Sequence, residues 1–140
     1  MFSNNELLIT RYDYGRIMII LEHSKDVLTK EQRKNIVTLK QELHRAHKVS
    51  SLDIPSDYVT MNSIFEIKDK EELESRILNL VFPEEANSEQ DRVSILSQIG
   101  TAVIGCRVGN VINWTTPGGL KKFVIINMIY QPEAAGNYNV

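Results

Sequence analysis

Apolar residues in the first third of the chain recur with a helical period. Ile17, Ile20, Leu21 and Ser24 fall on one face, and Thr10 with Asp13 three residues later forms an N-terminal capping pattern. This predicts a helix from about Thr10 that fades near His23 to Lys25. Thr29 with Gln32 repeats the capping pattern, and Ile36, Leu39, Leu43 and Ala46 follow at spacings of three, four and three, a coiled-coil seam. A connection of about five residues forces the two helices to run antiparallel. The second helix, Thr29 to His47, would be about 28 Å long.

Polar residues and Pro55 break the pattern over 50–57, and strand chemistry follows. Val59, Met61 and Ser63 alternate with Thr60 and Asn62. Further strands are expected at 65–68, 73–82 and 92–96. Ser97 opens a short helix that stops at Gly105, where glycine supplies a left-handed terminator. Segments 111–115 and 122–130 form a hairpin across Pro117-Gly118-Gly119. The predicted class is α+β, with a helical hairpin over 1–50 and an antiparallel-sheet domain with one short helix over 51–140.

Composition narrows the setting. The chain has 140 residues, 42% hydrophobic and 24% charged, as in an ordinary soluble protein. Its longest apolar runs, such as Ile17 to Leu21, are far shorter than the roughly 20 residues of a membrane span. Nothing at the N-terminus resembles a signal peptide. One cysteine, Cys106, cannot form an internal disulfide, so a reduced cytoplasmic location without membrane contact is expected.

Charge is uneven. Residues 1–50 carry nine Lys or Arg against six Asp or Glu, and residues 51–140 seven against twelve. The second helix presents a basic face with Arg33, Lys34, Lys40 and Arg45, either a solvated surface or one that could meet nucleic-acid phosphates. His44 and His47 share a spacing but lack a nearby carboxylate or thiol, so no metal site is expected. Cys106 has no catalytic partner pattern, and phosphate loops, nucleophile elbows and zinc spacings are missing. No cofactor and no small-molecule substrate are therefore expected.

The order of elements in the last third, together with Val59-Thr60-Met61-Asn62-Ser63, Arg107-Val108-Gly109, Pro117-Gly118-Gly119 and the tail Tyr130 to Gly136, resembles the bacterial Gre transcript-cleavage factors. The tail is still more similar to their smaller relatives, the regulators of nucleoside diphosphate kinase. The resemblance implies an FKBP-like C-terminal domain that docks on the rim of the RNA polymerase secondary channel, with the helical hairpin, a short coiled coil, directed toward that channel. It places the docking stretch at Leu96, Ser97 and Gln98. Cleavage factors favour an acidic residue, Ser and Pro there, and only Ser97 is kept.

Cleavage factors also carry two acidic residues at the hairpin tip, which hold a second Mg²⁺. The tip here spans Lys25, Asp26, Lys30 and Glu31, and the lysines oppose metal binding. The expectation is a non-enzymatic regulator of transcription elongation that binds RNA polymerase. The alternatives are an active cleavage factor and a general interaction module on the same fold. A prolyl isomerase reading is disfavoured, because Phe65, Phe82, Trp114 and Phe123 fall at strand positions suited to core or sheet faces.

Overall fold

The computed structural model describes residues 6–23, 29–72 and 74–140. Strand β1 (Leu8–Thr10) leads into helix α1 (Arg11–His23), and helix α2 (Lys30–Arg45) leads into strand β2 (His47–Val49). Each helix starts where a side chain satisfies an otherwise orphaned amide. Thr10 Oγ1 accepts from the Asp13 amide at 3.0 Å. Thr29 accepts from the Gln32 amide at 3.1 Å, and Gln32 Oε1 accepts from the Thr29 amide at 3.0 Å, a complete capping box. β1 and β2 pair in parallel at the base of the two helices, and the Leu8 amide also donates to the Gly105 carbonyl at 3.1 Å.

The second half contains β3 (Ile64–Asp69), β4 (Ser75–Val81), β5 (Arg92–Ser94), α3 (Gln98–Val103), β6 (Val111–Thr116) and β7 (Gly119–Tyr130). Two 3₁₀ turns, Pro83–Glu85 and Ser88–Gln90, fill the connection between β4 and β5. The sheet order is β5-β4-β3-β7-β6. The expectation of a purely antiparallel sheet is corrected here: β5 runs parallel to β4. A parallel neighbour needs a crossover in place of a tight hairpin, and the two 3₁₀ turns supply it.

A second correction concerns residues 59–63, which form a turn and not a strand. The Ser63 amide donates to the Thr60 carbonyl at 3.1 Å, Ser63 Oγ accepts from the Thr60 amide at 3.0 Å, and Asn62 takes a left-handed φ of 70°. Val59, Thr60, Met61 and Ser63 are all buried, so the alternation in sequence does not correspond to two faces.

One hydrophobic cluster spans both halves. Ile17 and Leu21 of α1 and Ile36, Leu39 and Leu43 of α2 belong to the same buried set as Phe65, Leu80, Ile99, Val103 and Ile125. The seam on α2 is therefore buried against more than a second helix. α2 lies on α3, and Asn35 Nδ2 donates to the Leu96 carbonyl at 3.1 Å. The boundary expected near residue 50 is crossed by continuous packing. Among the described residues no helix is long and apolar enough to cross a membrane.

Candidate functional site

The segment 94–100 is built around the start of α3. Ser97 is in extended conformation with φ −74° and ψ 162°, and its hydroxyl accepts from the Gly100 amide at 3.1 Å while donating to the Ser94 carbonyl at 2.6 Å. Gly100 is required here: a Cβ at this position would sit 2.1 Å from the Ser94 carbonyl oxygen. The helix thus packs directly on the end of β5, and Thr101 Oγ1 donates to the Ile95 carbonyl to hold it there.

Of the three expected docking residues, Leu96 is buried and its carbonyl is taken by Asn35. Ser97 and Gln98 are partly exposed. Ser97 lines a cleft of about 380 Å³ whose apolar lining includes Leu78, Val93, Ile99 and Trp114 and whose rim carries Arg76 and Arg92. Gln98 faces elsewhere, accepting from the Thr115 amide at 3.1 Å. The three residues are contiguous in sequence but point to different surroundings.

The basic residues of α2 also divide. Arg33, Lys34, Lys40 and Arg45 are all exposed. Lys34 and Arg45 line a groove against α3 and β6, whereas Arg33 and Lys40 do not. Helical geometry explains this, because 34 and 45 are three turns apart on one stripe and 33 and 40 share another. Arg45 is paired with Glu42 at 2.7 Å. At the expected tip, Lys30 and Glu31 form the exposed first turn of α2. Lys25 and Asp26 lie outside the described residues.

Cys106 closes the floor of the same groove. Its thiol donates to the Ala102 carbonyl at 3.3 Å, and burial, with a smaller effect of the Glu42 carboxylate, pushes its pKa up to about 12. It is therefore a poor nucleophile. The aromatic side chains do not converge on a proline-sized pocket: Phe65 and Phe82 are in the core, and Trp114 and Phe123 meet as a tilted pair with centroids 5.2 Å apart.

The sequence reading missed a buried polar cluster joining α1, the 59–63 turn and the tail. Asp13 Oδ1 accepts from Arg16 at 2.7 Å and Asp13 Oδ2 from the Met61 amide at 3.0 Å. The Arg16 guanidinium lies over the rings of Tyr12 and Phe82, at 3.9 and 4.7 Å from their centroids. Thr60 Oγ1 donates to Glu133 Oε1 at 2.7 Å, and Gln131 Nε2 donates to the Pro55 and Tyr58 carbonyls. Burial raises the pKa of both Asp13 and Glu133, against the opposing effect of their hydrogen bonds. The signal lay in the two stretches singled out separately, Val59–Ser63 and Tyr130–Gly136, which turn out to hold each other.

Comparison with known proteins gives a consistent picture. The sequence model of the C-terminal region of transcription elongation factors GreA/GreB matches residues 54–130. The chain is 38% identical over 101 residues to the regulator of nucleoside diphosphate kinase of Escherichia coli (strain K12), covering 71% of this chain and 74% of that protein. It is 36% identical over 93 residues to transcription elongation factor GreA of Clostridium novyi, covering 66% of this chain and 58% of that protein. The solved prokaryotic transcription elongation factor GreA/GreB from Nitrosomonas europaea matches with a TM-score of 0.74 and 31% identity, over 89% of this chain and 100% of that one.

Proposed function

Because the chain belongs to the GreA/GreB family of transcription elongation factors, we propose that it binds RNA polymerase and regulates elongation at the secondary channel without cleaving the transcript. In this reading residues 51–140 form an FKBP-like docking unit and residues 1–50 a short hairpin at the channel entrance, in the cytoplasm. The observation that carries the docking assignment is the cleft beside Ser97. It is concave, apolar on the inside and rimmed by Arg76 and Arg92, which suits an anchoring side chain surrounded by polar contacts. Leu96 and Gln98 hold the start of α3 in place through Asn35 and Thr115 and set the angle at which Ser97 meets the cleft.

The basic hairpin face, with Arg33 and Lys40 directed away from the groove, is suited to contact nucleic-acid phosphates near the channel. Two features support the absence of cleavage. Glu31 stands beside Lys30 and Lys34, whose charges oppose a second Mg²⁺, and Asp26, the one other carboxylate of the tip sequence, directly follows Lys25, which opposes it in the same way. Incubating the full chain with a stalled elongation complex tests both halves of the reading. The expected result is co-purification with polymerase and no shortening of the RNA. Efficient release of short 3′ fragments would make the chain a cleavage factor, and failure to co-purify would leave a family fold with another partner.

A further inference from the structure

A groove of about 940 Å³ separates α2 from β6, with α3 beneath it. β6 is the edge strand of the sheet. The β6–β7 hairpin closes at Thr116 and Gly119, so Ile112 and Trp114 turn their backbone N–H and C=O toward β7. Val111, Asn113 and Thr115 turn theirs outward, toward the groove they line. The Thr115 amide bears this out, because the Gln98 side-chain oxygen accepts from it as a neighbouring strand would. Asn113 and Val111 are exposed beside it.

The opposite wall is α2. It contributes Lys30, Lys34 and Arg45 against Glu31 and Glu42. Glu42 is already engaged by Arg45, and among the described residues neither Lys30 nor Lys34 is in an ion pair. Between the walls lie the apolar Leu7, Ala102, Ile104 and Cys106, with Thr101 and Gln98 beside them.

We propose that this groove binds an extended, acidic peptide segment of a partner protein by strand addition to β6. Outward-facing backbone groups at strand spacing select an extended chain, which supplies the complementary N–H and C=O groups. The α2 lysines select carboxylates, and the apolar floor residues take the alternate, apolar side chains. A nucleic-acid backbone has no alternating N–H and C=O groups to pair with Val111 and Asn113, which favours a peptide as the occupant. The site is independent of the cleft beside Ser97 and does not rest on the polymerase reading.

The test titrates the full chain into a fluorescein-labelled peptide of alternating Glu and Val and follows its anisotropy. Saturable binding is expected, weakening with salt, and a matched Lys and Val peptide is not bound. Asn113→Pro removes an outward amide without touching the ladder to β7, and Lys34→Glu reverses one wall charge. Each should weaken binding by about tenfold or more. A backbone N-methylated version of the same peptide, unable to pair with β6, should bind at least about tenfold more weakly to the unaltered protein. Equal binding of the N-methylated or the lysine peptide, or no saturation up to about 1 mM, overturns the proposal. So does displacement of the peptide by a short single-stranded RNA, which would make the groove a nucleic-acid site.

Discussion

At the scale of single residues, buried carboxylates form the most unusual feature of the molecule. Asp13 is fully buried and Glu133 nearly so, yet each has hydrogen-bond donors in place. A raised pKa in the folded state means that the fold binds protons more readily than the unfolded chain. The associated stability is present below the unfolded value, near 4.5 for Glu133, and is lost as pH rises through the higher folded value. Glu133→Gln keeps an acceptor for Thr60 and removes the titration. Urea denaturation of the two proteins from pH 4.5 to about pH 7 should therefore show the wild type losing stability relative to the Gln variant as pH increases. A parallel pH dependence of the two would contradict the burial argument. None of this was legible beforehand, because Asp13, Thr60 and Glu133 are far apart in sequence and each has an ordinary local role as cap, turn or tail residue.

At the scale of elements, what the sequence reveals depends on how local the determinants are. The caps at Thr10, Thr29 and Ser97 are contacts within three residues, and each hydroxyl accepts as the pattern implies, whereas the Asp13 carboxylate goes to Arg16 and the Met61 amide and does not complete a box with Thr10. The turn at Pro117-Gly118 likewise specifies the β6–β7 hairpin from four adjacent residues. The 59–63 segment misleads because four of its five residues are buried between α1 and the tail, so its alternation does not mark two faces. The pairing of β5 misleads because parallel register depends on the path of the 82–91 connection. α3 offers a direct test of element packing. Gly100→Ala forces a Cβ against the Ser94 carbonyl, and neither group is a flexible side chain. The variant should lose about 1–3 kcal/mol, a drop in Tm of roughly 5–10 °C in a thermal melt. A melt within about 1 °C of wild type would mean that α3 sits less tightly on β5.

At the scale of the whole molecule, the sequence divides where the packing does not. Composition changes at about residue 50, and charge changes with it, but the buried apolar cluster runs across that point. The buried face of α2 meets α3 and joins the same buried cluster as residues of the sheet, which no periodicity in α2 could reveal, since an apolar stripe does not name its partner. The consequence is cooperative unfolding. Leu39→Ala in α2 should cost about 2–5 kcal/mol and move the helical circular dichroism and the Trp114 fluorescence together. Trp114 lies on β6 and is the one tryptophan in the chain, so a helical transition that precedes it would show that the two halves unfold separately.

On the rim of the cleft beside Ser97, Arg92 is exposed and stands outside the buried cluster. The most direct measurement is the affinity of core RNA polymerase for the wild-type chain and for Arg92→Glu, by biolayer interferometry at fixed ionic strength. Saturable binding of the wild type is expected, with at least about tenfold weaker binding of the variant and an unchanged thermal melt. Equal affinities for the two proteins, or no binding by either, would contradict docking through this cleft.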